Sequence, residues 1–251
     1  MSSRLQDVPR SMPANGAKAP AIELAGVVKD YRGLRPLRLA GLAVGTGERV
    51  CLSGFDGVSA EVFVNLLNGA ILPDAGEVRV LGRSTGSIAD EQEWFAFLDR
   101  LGIVTTRAVL LEGPTVSQNL ALPLTLAIDP VPADVLARTR PLAAEAGIDP
   151  VWLDRRAGEA PGHVRMRLHL ARALAIGPEV LLLEHPTAEI DRDEVAAFAK
   201  TVRDVAAARC LTVVAVTEDA IFAGIVGQRW LRVQPATGVL GSTKGWRRLF
   251  A

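Results

Sequence analysis

The sequence predicts an α/β fold built on a parallel core sheet. Three observations carry this. A short strand runs straight into a glycine loop and then a helix. Two fully apolar strands are separated by an amphipathic helix. A long helical stretch broken by prolines lies between strand segments.

Alternating apolar residues mark a first strand over Ala21–Val28, and Glu48–Ser53 (ERVCLS) a second. The second enters Gly54-Phe55-Asp56-Gly57, after which Val62, Phe63, Leu66, Leu67 and Ala70 recur at helical spacing. Pro73-Asp74-Ala75-Gly76 is a turn signal before a strand over Glu77–Leu81, and Gly102–Thr105 is a further short strand. From Thr115 to Gly158 the pattern is helical with proline breaks, which reads as a helical subdomain, about residues 107–163, inserted into the sheet. Arg165–Ile176 is an arginine-studded helix and Glu194–Ala208 an amphipathic one. Val180–Leu183 and Leu211–Val216 are fully apolar, as strands covered on both faces must be. The last ten residues give no clear element. Residues 1–20 are polar and read as a loose tail ahead of one domain over 21–251.

Composition limits the function classes. The chain of 251 residues carries 28 basic and 28 acidic side chains, so its formal net charge is +0, which gives no general drive toward nucleic acid. Cys51 and Cys210 sit in strand-like apolar contexts and read as small buried hydrophobes rather than a disulfide or zinc framework. No apolar run is long enough to cross a bilayer. The lysines are Lys18, Lys29, Lys200 and Lys244, so none lies between 29 and 200.

A glycine loop between strand and helix is a phosphate cradle in the making, because the loop and helix N–H groups point at one spot. The Walker A pattern is G-x-x-x-x-G-K-S/T. Here it reads Gly54-Phe55-Asp56-Gly57-Val58-Ser59-Ala60-Glu61, followed by Val62. Ser59 replaces a glycine, Ala60 the lysine and Glu61 the Mg2+-binding hydroxyl.

The later segments fall in a telling order. Leu66 to Gly69 and Pro73 to Val78 follow the loop, Thr115-Val116-Ser117-Gln118-Asn119-Leu120 opens the helical stretch, and Arg167 to Leu174 reads RLHLARAL. Leu181-Leu182-Leu183-Glu184-His185-Pro186-Thr187-Ala188-Glu189-Ile190-Asp191 then resembles a Walker B strand and D-loop. Together, over about residues 22–239, the chain resembles the nucleotide-binding subunits of ATP-binding-cassette (ABC) transporters. The resemblance implies a P-loop NTPase of ABC type, with a parallel core sheet, an antiparallel β subdomain and an inserted helical subdomain. It implies ATP and Mg2+ as cofactors, with Tyr31 as the adenine platform, residues 54–62 as the phosphate loop and Gly162 as the signature remnant that meets a partner's ATP. It further implies a second ABC subunit in a homodimer or heterodimer and an integral-membrane subunit. Its location would be cytoplasmic, peripheral on the inner face of the membrane.

The departures from the family pattern bear on chemistry. Thr106 stands at the Q-loop glutamine, Ala160-Pro161-Gly162-His163-Val164 at the signature, Glu184 at the Walker B aspartate, His185 at the catalytic glutamate and Glu218 at the switch histidine. Glu61, Glu184 and Thr106 are the remaining metal-ligand candidates. His185 and Glu218, catalytic candidates, read either as a reciprocal swap that keeps a His–carboxylate pair or as two independent losses. Glu61, near the helix start, is expected to occupy the anion niche. A lost charge-assisted contact costs about 1.5–3 kcal/mol and a carboxylate beside phosphate up to about 4 kcal/mol. Weakened or lost nucleotide binding is therefore expected, with Arg107 and Arg165 the nearby arginines able to compensate. His163 reads as an exposed loop residue, His169 as core or surface, the Arg165/Arg167/Arg172 cluster as a solvated face, and Trp94, Trp152, Trp230 and Trp246 as packing. Three functions remain open: a structural or regulatory transporter subunit, a working ATPase with rebuilt catalytic groups, and a binding scaffold without transport.

Overall fold

The computed structural model describes residues 19–243. The tail expected over 1–20 lies outside them except for its last two residues, and Trp246 lies outside them entirely.

In chain order the elements are β1 (Ile22–Lys29), β2 (Leu37–Val44), β3 (Arg49–Ser53), α1 (Gly57–Leu67), β4 (Ala75–Val80), β5 (Arg83–Ser84), α2 (Glu91–Leu98) and β6 (Leu101–Thr105). They continue with α3 (Val116–Ala121), α4 (Ala133–Glu145), α5 (Gly162–Ala175), β7 (Val180–Glu184), α6 (Val195–Ala208), β8 (Thr212–Val216), α7 (Ala220–Val226), β9 (Arg229–Val233) and β10 (Leu240–Ser242). Two sheets result. One is antiparallel, in the order β2-β1-β4-β5; the other runs β10-β9-β3-β8-β7-β6. In the second sheet β9, β3, β8, β7 and β6 are mutually parallel, and β10 pairs antiparallel on the edge.

The apolar strands sit where their composition requires. β7 and β8 are buried at every residue. Leu181 and Leu183 face one hydrophobic cluster with Val213 and Ala215, under α5, α6 and α7. Val180 and Leu182 face the other with Val214 and Val216, together with α1 and the antiparallel sheet. Period-2 alternation divides each strand between the two cores.

Two cysteine and arginine expectations are corrected. Cys51 is buried, and burial pushes its thiol pKa up to about 12, but Cys210 is exposed beyond the end of α6. Arg167 is not on a solvated face: it is 7% exposed, donating to the Ala146 carbonyl and the Thr201 hydroxyl. Arg172 reaches the Val109 carbonyl. Burial lowers the pKa of both guanidinium groups. Trp94, Trp152 and Trp230 pack against the cores.

Candidate functional site

One line of register crosses the parallel sheet. Leu52 in β3 pairs with Val216 in β8, Val216 with Glu184 in β7, and Glu184 with Thr105 in β6. The segments leaving these strands (54–56, 217–219, 185–187 and 106–108) therefore emerge side by side at the carboxyl edge, where α/β sheets hold ligands.

The loop after β3 turns at Gly54, whose φ is +92° and whose missing Cβ would lie 2.6 Å from the Val233 carbonyl oxygen. Both constraints demand glycine. The helix that follows begins early. Asp56 caps α1: its carboxylate accepts from Ser59 N–H at 2.7 Å, and the Ser59 hydroxyl accepts from Asp56 N–H at 2.9 Å, completing a capping box. Hydrogen bonds from the Ser59 hydroxyl and backbone hold the Asp56 carboxyl below its ordinary range, with a smaller contribution from the charge of His185. The carboxylate at the helix N-terminus is thus Asp56, not Glu61 as expected. Glu61 lies in the second turn of α1, too far along for its side chain to reach the orphan N–H groups of the first turn. Gly57 and Val58 are exposed, Phe55 stacks in a tilted geometry on Phe63 with centroids 5.3 Å apart, and Ala60 and Val62 belong to the core.

The carboxylate of Glu61 turns the other way. Its Oε1 lies 2.9 Å from Arg107 Nη1. Arg107 also forks onto Glu184: Nε donates to Oε1 at 2.9 Å and Nη2 to Oε2 at 2.5 Å. Glu184 is 5% exposed, and these contacts raise the Arg107 pKa, the Glu184 hydrogen bond contributing most. The turn after β6, in which Arg107 N–H is held at 3.2 Å by the Thr105 hydroxyl, aims this side chain. Thr106, the expected site residue, only precedes it. The signal in the sequence was an arginine in a stretch without lysine, one residue past the position the family pattern names.

His185 and Glu218 do not form the pair that the reciprocal-swap reading requires, which leaves the reading of two independent losses: among the described residues no hydrogen bond or ion pair joins them. Glu218 Oε1 accepts from Gly54 N–H at 2.5 Å. His185 has φ +43° and donates its N–H to the Val216 carbonyl, while its Nε2 is buried with no hydrogen-bond partner among the described residues. Tyr31 follows β1, its ring lies against Gly33, and its pKa is raised by burial and then by the charge of Asp56. Gly162 opens α5 and packs on the D-loop turn: a Cβ there would overlap the Glu189 carbonyl oxygen. Arg165 pairs with Glu189 at 3.1 Å rather than entering the site. His163 is half-buried in α5, not exposed in a loop, and His169 is buried in the same helix.

Comparison with known proteins agrees with this architecture. No protein-family model matches the chain. A methionine import ATP-binding protein of Paraburkholderia xenovorans is 32% identical over 213 residues, 81% of this chain and 53% of that protein. An Fe(3+) ions import ATP-binding protein of Rhodococcus jostii is 31% identical over 79% of this chain and 55% of its own length. The chain thus spans about half the length of these two relatives. A lipoprotein-releasing system ATP-binding protein of Saccharophagus degradans is 28% identical, covering 83% of this chain and 92% of that protein. Among solved structures, a dimeric ATP-binding cassette in a post-hydrolysis state with ADP and Pi matches with a TM-score of 0.74 at 22% identity, over 89% of this chain and 99% of that one. A component of an ABC transporter complex from Clostridium perfringens matches with a TM-score of 0.75 at 17% identity, over 93% and 91%. The fold and the strand-edge site are those of a P-loop α/β cassette; within that class, the sequence relatives of the chain are ATP-binding-cassette subunits and its fold matches solved ATP-binding cassettes.

The groups at the sheet edge do not fit Mg2+ and a triphosphate as that class holds them. At the phosphate-reaching lysine stands the buried methyl of Ala60. The Ser59 N–H is spent on Asp56 and the Gly54 N–H on Glu218. Glu61 and Glu184, the two carboxylates expected as metal ligands, are both engaged by Arg107.

Proposed function

We propose that the chain is an ABC subunit of a membrane transporter in which nucleotide binding is weak or lost, and which serves as a structural or regulatory partner. It would lie on the cytoplasmic face, paired with a second ABC subunit and with an integral-membrane subunit. The sequence relatives support the transporter context, since their names place them in import and lipoprotein-releasing systems. The observation that carries the impaired reading is Arg107 held between Glu61 and Glu184. Any phosphate-bound metal would have to displace a bidentate guanidinium already paired with the buried Glu184 carboxylate.

The test is isothermal titration with Mg-ATP and a phosphate-release assay on the purified chain, alongside affinity capture from its own cells. The reading expects no saturable binding, no turnover and co-purification of an integral-membrane protein. Turnover that disappears in His185→Ala would instead make the chain a working ATPase. Loss of the membrane partner with the rest intact would leave a scaffold outside transport.

A further inference from the structure

Arg107 touches two carboxylates that belong to different elements, α1 and the end of β7, from a third position after β6. Its Nε, Nη1 and Nη2 are all in use, at 2.9, 2.9 and 2.5 Å. Glu184 is buried, and an ionised carboxylate there needs a counter-charge in direct contact. Two carboxylates converging on one cation, with water completing the shell, is a donor set that a hard divalent ion takes. A guanidinium meets the same oxygens with a planar fork of donors and stays charged at every pH the protein survives.

We propose that the Arg107 guanidinium is a built-in replacement for a divalent cation: it holds the Glu61 and Glu184 carboxylates together without metal and keeps metal out of the site. This rests on the impaired-nucleotide reading above and supplies its cause. The tether matters. A side chain already anchored by the β6 turn is presented to the carboxylates at high effective concentration, whereas a metal must arrive from solution and shed water to compete.

The experiment uses the full chain, free of nucleotide, titrated with Mn2+ under electron paramagnetic resonance and melted with and without Mg2+. Wild type is expected to bind no Mn2+ and to melt at the same temperature with either ion or with chelator. Arg107→Ala leaves two facing carboxylates without their cation. It is expected to bind one Mn2+ and to melt about 4 °C higher at ten times the dissociation constant. Adding Glu61→Gln to that variant should abolish both responses. A folded Arg107→Ala that ignores divalent ions overturns the proposal. So does a wild type that binds one Mn2+ lost in Glu61→Gln, a measurement that decides the matter even where Arg107→Ala fails to fold. The two readings fail separately. Wild type that binds ATP in the presence of chelator sinks the nucleotide-impaired function and leaves the metal-free site standing. Arg107→Ala indifferent to Mn2+ does the reverse.

Discussion

Asp56 does for α1 what a bound anion does for a phosphate loop: it places negative charge on the N–H groups of the first turn. The cap closes within three residues, so the turn winds into helix from Gly57 onward. Asp56→Ala removes it, and the expected loss is about 1 kcal/mol, within the 0.5–2 kcal/mol range of such caps, read as a lowered urea midpoint. Asp56→Asn, which still accepts from Ser59 N–H, should restore most of it. The glycine loop itself was legible in the sequence because its spacing is set by backbone geometry. The choice between Glu61 and Asp56 was not, since it depends on where the helix starts. Thr106 and Arg107 differ by one position on a turn, and only the path of that turn decides which side chain enters the site.

At the scale of elements, α5 and the D-loop after β7 fit against each other through Gly162. Alanine at a helix position ordinarily gains up to about 1 kcal/mol over glycine. Here the added methyl meets the Glu189 backbone, which has little room to give, and overpacking of this kind costs about 1–3 kcal/mol. Gly162→Ala is therefore expected to destabilise the chain and to speed amide exchange over residues 187–191, measured by mass spectrometry. This glycine has a reason to be present that involves no ligand. The long elements were visible beforehand because α6 is strongly amphipathic and β7 and β8 are apolar throughout. β2, β5, α2, α7, β9 and β10 are not among the elements the sequence predicts. α2 and α7 span only 8 and 7 residues, too few for a helical period to stand out, and β9 (RWLRV) is mostly half-buried and mixes charge with apolar residues. The buried Arg167 escaped for a different reason: sequence cannot show that the Ala146 carbonyl and Thr201 wait for it across two other helices.

For the whole molecule, the parallel sheet between two cores was legible, since strands flanked on both faces must be apolar along their length. The interior also sets an acid limit. His169 is 7% exposed, and burial, reinforced by Arg172 and then Arg165 against the opposing Glu189, lowers its pKa from 6.5 to about 4. The unfolded chain binds this proton more readily than the folded one. Its effect on stability is therefore nil above pH 6.5 and grows as pH falls toward 4, reaching about 3 kcal/mol. Denaturant midpoints at pH 7.5, 5.5 and 4 should fall along this curve, and His169→Gln should flatten it; an unchanged acid limb in that variant would reassign the proton uptake.

The Arg107 contacts join positions 61, 107 and 184, the last two 77 residues apart. Contacts so distant along the chain carry a large loop-closure entropy, and they form only after β6 and β7 have paired beside α1. Contacts completed late act on the route out of the native state, so Arg107→Ala is expected to raise the unfolding rate more than it lowers the folding rate, read from the two limbs of a denaturant chevron; the persistence it lends the sheet edge is then kinetic in kind.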